Sequence, residues 1–197
     1  MGFSKFSIEI NNGKKSPKIE TERLILRLFE PSDAERVREL AGEKEIADTT
    51  VNIPHPYEKG MAEEWISTCR IKFESGECAH FAVILKFSEE LIGAIGLVID
   101  KGFNRAELGY WIGKGYWNRG YCTEGGRAVL EYGFNQLLLH KITASHFARN
   151  PSSGKVMSKI GMEKEGFFKK HVPKSGDYED LVVYGILRKE WVEKNKY

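Results

Sequence analysis

The stretch from Ala106 to Arg127, AELGYWIGKGYWNRGYCTEGGR, limits what this chain can fold into more than any other. It opens with the β-formers Leu108, Tyr110, Trp111 and Ile112 and breaks at Gly113 and Gly115. After Gly120 it resumes with Val129, Leu130, Phe134, Leu137 and Leu138 at helical spacing. That order is a strand, a glycine-punctuated turn and a helix. Such a junction aims backbone N–H groups and the positive end of a helix at one place, which suits a phosphate or diphosphate.

Two phosphate motifs come near and fail. Gly115 and Gly120 have the spacing of a Walker loop, but Tyr121 and Cys122 stand where Lys and Ser or Thr are needed for the phosphates and Mg²⁺. Gly113-Lys114-Gly115 begins like a dinucleotide fingerprint. Its third glycine position is Asn118, and the strand after the helix ends in Ser145-His146-Phe147, with no acid for a ribose hydroxyl. What remains is a cradle for a diphosphate that needs no metal, of which coenzyme A is the commonest bearer. A glycine-rich turn that binds nothing has the same spacing, so spacing alone leaves both open.

The 197 residues suffice for one domain with a substantial core, and 41% hydrophobic with 29% charged residues reads as globular. A net charge of +2 gives no chain-wide reason to expect nucleic acid. Cys69, Cys78 and Cys122 are too few and too scattered for a disulfide framework or a CxxC site, and they fit a reducing, cytoplasmic setting. The histidines show no HxxxH spacing, so no metal is expected. No segment has the ~20 apolar residues of a membrane span, and the start has no signal-peptide core. Gly2 is followed by Phe6 where a myristoylation signal wants Ser or Thr. Residues 1–18 read as a poorly ordered lead, with a single domain over 19–197.

In chain order, residues 21–29 alternate as a first strand, and Ser32 or Asp33 caps a helix running to about Glu43. Residues 48–59 form an irregular loop around Pro54 and Pro56, and a second helix spans Met61 to Glu74. A hairpin follows over 80–87 and 91–100, then the strand and helix of the opening stretch. A strand over 140–147, a helix from Asn150 to before Gly161, and strands near 163–171 and 178–187 complete the pattern. This order suggests one mixed, mostly antiparallel sheet of an α+β fold, with one parallel crossover around the helix after Gly120.

The runs ELGYWIGKGYWNRGYCTEG and NPSSGKVMSKIGMEKEG, with TERLILR, the PHPY loop and IGAIGL, resemble the GNAT superfamily of N-acetyltransferases, in particular its RimJ/RimL-type branch. The resemblance covers nearly the whole chain from Thr21. It implies a central sheet of about seven strands with a splayed pair, about four covering helices, and acetyl-CoA as the cofactor. The family's pyrophosphate loop falls on Trp117, Asn118, Arg119, Gly120, Tyr121 and Cys122, with Thr123 following. Trp117 and Cys122 depart from the superfamily pattern, although Trp is usual at the first position in this branch. Gly125 and Gly126 stand where Glu and Ala are usual, each costing about 1 kcal/mol of helix propensity, which predicts a softer helix start.

The same resemblance puts the backbone of Trp111 and Ile112 against the pantetheine arm, and matches Asn150 and Ser153 to the NxxS motif on the far side. Local chemistry alone reads Asn150 as a cap and Ser153 as a helix-start serine. Glu107 matches the branch's general base, and Ser153 would hydrogen-bond the departing sulfur; a solvated strand carboxylate is the plain alternative for Glu107. The acceptor is expected against the loop and second helix. Residues 43–64 carry six acids (Glu43, Glu45, Asp48, Glu58, Glu63, Glu64) and two lysines, a net −4 that would draw a cationic amine or a peptide terminus. Two solvated helix faces would look the same. Tyr57, Glu63, Trp65 and Glu107 are the acceptor-side candidates, with Trp65 also placed for the core. The expected activity is acetyl transfer to a primary amine by a monomer or homodimer. The alternative is an idle acyl-CoA-binding module, which would have no reason to keep both Glu107 and Ser153.

Overall fold

A computed structural model describes residues 4–11 and 14–195. Its strands are β1 (Lys5–Asn11), β2 (Lys14–Glu20), β3 (Leu24–Leu28), β4 (Cys78–Leu85), β5 (Leu91–Asp100), β6 (Arg105–Ile112), β7 (Lys141–Phe147), β8 (Glu163–Lys174) and β9 (Asp177–Leu187). Its helices are α1 (Ala34–Ala41), α2 (Lys44–Thr49), α3 (Met61–Glu74), α4 (Tyr121–Asn135), α5 (Pro151–Lys159) and α6 (Arg188–Lys194). The strands form one sheet in the order β1-β2-β3-β4-β5-β6-β7-β9-β8. Every neighbouring pair is antiparallel except β6 and β7, which α4 joins as a parallel crossover.

The sheet is covered on both faces, which is why β4 and β5 read as nearly continuous apolar runs rather than alternating ones. On one face α4 and α5 bury Leu130, Phe134 and Met157 against Leu26, Phe81, Leu97, Leu108 and Ile142. On the other, α1 and α3 bury Val37, Leu40 and Ile66 against Phe29, Ala82, Ile84 and Ala94. Trp65 meets Phe29 edge-on at 4.8 Å between ring centroids. Gly126 lets α5 approach α4, because a Cβ there would stand 3.3 Å from Ile160. No helix among the described residues is long and apolar enough to cross a membrane.

The strand count exceeds the expected seven by two strands that fall almost wholly within the residues expected as a lead. Residues 5–11 and 14–20 form a hairpin whose β2 pairs with β3, burying Ile19 and bringing Phe6 to 5.6 Å from Tyr132. Residues 1–3 of that stretch, with Gly2, lie outside the described residues. The helix expected to reach Glu43 ends at Ala41, and the extra helices are the short α2 and α6.

Candidate active site

The site begins where β6 leaves β7. The two strands pair only through Arg105, Ala106 and Glu107 with Lys141, Ile142 and Thr143, whereas β6 stays paired to β5 as far as Ile112. Leu108 to Ile112 therefore edge a gap, with Glu107 at its apex. Strand alternation fixes which backbone groups face that gap. Gly113 N–H donates to Ile92 C=O of β5, and Ala106 C=O accepts from Thr143 Oγ of β7. The N–H and C=O groups of Leu108, Tyr110 and Ile112 thus point into the gap, and those of Gly109 and Trp111 point at β5. This differs from the sequence expectation for Trp111, whose backbone is spent on the sheet. The carbonyl of Ile112 is also occupied, by the Trp117 indole N–H, leaving its N–H for a ligand. That bond folds the glycine turn back onto the end of β6 and gives Trp117 a structural reason to be there.

At the other end of the gap the loop turns into α4 through two left-handed residues, Asn118 (φ +61°) and Gly120 (φ +82°). Only glycine takes the second without strain. The first intrahelical bond is Glu124 N–H to Gly120 C=O at 3.0 Å. The N–H groups of Tyr121, Cys122 and Thr123 have no partner within the helix and point out of its positive end. These donors and the absent Cβ fit a diphosphate.

The start of α4 is held by Glu124. Its carboxylate accepts from Thr21 Oγ at 2.6 Å, from Arg23 N–H at 2.7 Å and from Arg23 Nε at 2.7 Å. Burial pushes this carboxyl up, but the bonds from Thr21 and Arg23 outweigh it and hold it below the usual range. Arg23 also donates to Arg119 C=O at 3.0 Å and lies over the Tyr121 ring. Cys122 packs toward the core, and burial pushes its thiol up to about 12, so it is a neutral filler.

The far wall is the start of α5. Asn150 occupies the cap position, yet its side chain makes no capping bond. Ser153 Oγ lies 2.8 Å from the hydroxyl of Tyr110, which also reaches Ser153 C=O at 3.0 Å. Gly154 lets the helix sit on β7, because a Cβ there would be 2.6 Å from His146 Nε2. At the apex, Glu107 is exposed and accepts from Ser145 Oγ of β7 at 2.9 Å. Tyr110, Thr21 and Arg23 were not among the sequence candidates.

On the α1 and α3 face, Tyr57, Trp65 and Trp111 line a cavity of about 360 Å³ with Glu64, Val37 and Met61. Burial, and then Glu63, push the Tyr57 hydroxyl up, so it stays protonated. Trp111 shares this face of β6 with Glu107, two strand repeats away. Glu63 is not brought to this cavity: it lines a separate one of about 910 Å³ with Arg27 and Arg70. Glu43 accepts from Lys114 N–H at 2.8 Å, and Glu45 pairs with Lys114 Nζ, which holds the Glu45 carboxyl below its usual range. The net −4 of residues 43–64 is therefore divided among different surfaces.

Residues 23–163 match the family described as the acetyltransferase (GNAT) domain. The chain is 36% identical over 174 residues to the uncharacterized N-acetyltransferase YnaD of Bacillus subtilis, covering 88% of this chain and 98% of that one. It is 25% identical over 186 residues to the ribosomal protein uS5-alanine N-acetyltransferase of Escherichia coli, covering 88% and 92%. A crystal structure of a GNAT-family acetyltransferase from Bacillus anthracis superposes with a TM-score of 0.77 at 31% identity, covering 87% of this chain and 99% of the other. With a forked parallel pair, a glycine-opened helix start and these similarities, the chain belongs to the GNAT acetyltransferase family.

Proposed function

We propose that this acetyltransferase moves the acetyl group of acetyl-CoA directly onto a primary amine in a ternary complex. The observation that carries the reading is the fork itself: Glu107 stands where β6 and β7 part, the unpaired α4 N–H groups lie at one end and Ser153 on the opposite wall. Acetyl-CoA supplies an acyl thioester whose carbon is open to attack. Tyr121, Cys122 and Thr123 would donate backbone N–H groups to its diphosphate, with Gly120 allowing the close approach. Leu108, Tyr110 and Ile112 turn N–H groups into the gap, where they can bond the pantetheine amides and polarise the reacting carbonyl.

Amine acylation also needs a proton acceptor and a donor to the leaving sulfur. Glu107, exposed at the apex and accepting a hydrogen bond from Ser145, would take the amine proton. The Ser153 hydroxyl would donate to sulfur. The amine would approach through the cavity of Tyr57, Trp65 and Trp111, whose single carboxylate, Glu64, favours a cation at its mouth. An alanine nitrogen, as named for the Escherichia coli relative, is an amine of this kind. Thiol release from acetyl-CoA, measured across peptides, polyamines and small amines with mass spectrometry of the products, tests the reading. Matched thiol release and amine acetylation are expected. Measurable coenzyme A binding with no turnover across the whole panel would favour an idle binding module instead.

A further inference from the structure

We propose that Tyr110 is a positioning residue that turns the Ser153 hydroxyl into the donor for the departing sulfur, through a two-hydroxyl chain from β6 to α5. This rests on the role given above to Ser153. Packing alone does not require a tyrosine here, since a phenylalanine would fill the same place in the core. The hydroxyl is nonetheless set 2.8 Å from Ser153 Oγ and 3.0 Å from Ser153 C=O.

Two hydroxyl protons can be arranged in two ways over these atoms. In one, Tyr110 O–H donates to Ser153 C=O and Ser153 Oγ–H donates back to Tyr110, so the serine proton is turned away from the gap. In the other, Tyr110 O–H donates to Ser153 Oγ, and the serine proton is free to point at a ligand. Ser153 C=O is an acceptor of the α5 ladder in either case. Without a ligand the first arrangement makes more bonds. A thiolate reverses the order, because a hydrogen bond to a charged acceptor is about twice as strong as a neutral one, and chained hydroxyls strengthen each other.

No proton changes owner along this chain. A thiolate is a weaker base than a serine alkoxide, and burial pushes the Tyr110 phenol well above its ordinary value, so it remains a donor. The titratable groups facing it are Cys122 of α4 and Tyr184 of β9, neither cationic in any state. His146 of β7 lies beyond Gly154 and turns Nδ1 to Phe147 C=O at 2.8 Å. In the transfer step the amine nitrogen bonds to the acetyl carbon and the carbon–sulfur bond breaks with its electron pair going to sulfur. The amine proton goes to Glu107, and the Tyr110–Ser153 chain stabilises the thiolate by hydrogen bonding alone.

The test reads thiolate stabilisation rather than turnover. The pH dependence of coenzyme A affinity, measured by calorimetry against desulfo-coenzyme A, gives the ionisation constant of the bound thiol. Tyr110→Phe should lower that constant by about three- to tenfold, the worth of one hydrogen bond, and leave desulfo-coenzyme A binding unchanged. Ser153→Ala should lower it further, and adding Tyr110→Phe to Ser153→Ala should change nothing more. If Ser153→Ala matches the wild type, the role of Ser153 fails and this inference falls with it. If Ser153→Ala has its effect but Tyr110→Phe has none, or the two effects add, this inference alone is overturned. Should Tyr110→Phe not fold, 3-fluorotyrosine at position 110 supplies a stronger donor on the same ring and should raise the constant. An unchanged or lower constant overturns the inference as well.

Discussion

Replacing Glu124 by Ala removes the clasp between the β2–β3 turn and the start of α4. The carboxylate accepts three bonds and sits in the first helical turn, with its side chain 16% exposed and that of Arg23 44% exposed. The bonds from Thr21 and from the Arg23 backbone are each worth about 1.5 kcal/mol to a charged acceptor. The half-exposed guanidinium pair is discounted to about 0.5 kcal/mol, and the helix end contributes about 0.5 kcal/mol. Since bonds to one group are not additive, roughly 3 kcal/mol is expected, or about 6–12 °C in Tm for a chain of this size. The sign with pH follows from a carboxyl held below its ordinary 4.5. Its contribution is complete above the unfolded value and is lost as pH falls through the lower folded one. Thermal melts of wild type and Glu124→Ala should thus differ by a constant amount near neutral pH and converge below about 4.5. Coenzyme A affinity should fall too, because Arg23 loses the partner that aims it at Arg119 C=O. A Tm within about 1 °C of wild type at neutral pH would refute the clasp.

Gly120→Val places a branched side chain at a left-handed φ, at a cost of about 1–3 kcal/mol locally; calorimetry should find coenzyme A binding abolished, with or without Mg²⁺. Glu64→Lys should raise KM for a cationic acceptor at low salt by more than Glu63→Lys does, since Glu64 lines the aromatic cavity while Glu63 acts on it only at a distance, through Tyr57; equal effects in steady-state assays would contradict that division. Ile19→Ala should destabilise by about 2–4 kcal/mol in urea unfolding if the N-terminal hairpin is part of the core, and a change near zero would return it to a loose lead.

Much of this architecture is written in local pattern. Helix α3 has the bounds that helical periodicity suggests and strand β5 those of an apolar run after a turn. The crossover through α4 follows from a strand, a glycine turn and a helix in sequence, whereas the fork was expected only from the family resemblance. The hairpin β1–β2 was legible as well. Phe6, Ile8 and Ile10 alternate in the sequence, and the dipeptide Asn12-Gly13 is a strong hairpin signal, but the lysines and Pro17 weigh toward a polar lead. Pairs far apart in the chain were out of reach: nothing near Thr21 announces a partner at Glu124, nor anything near Tyr110 a partner at Ser153. Trp111 depended on register, because the choice between gap and sheet for its backbone is a parity that only the β5–β6 pairing sets. The acidic stretch misled for a related reason. Charge summed along a segment is not charge on a surface, and Lys114 and a second cavity divide those acids.

The pH profile of kcat for wild type and Glu107→Gln bears most directly on the chemistry at the fork. It should be measured at saturating acetyl-CoA with an acceptor amine already neutral across the range, after both proteins are shown to melt alike. Glutamine keeps the shape and the Ser145 contact but cannot take the amine proton. A fall in kcat of ~10²–10⁴, unchanged acetyl-CoA affinity and the loss of one ionisation from the ascending limb are predicted. Wild-type kcat in Glu107→Gln at every pH would put the proton acceptor elsewhere and leave Glu107 a solvated carboxylate where two strands part.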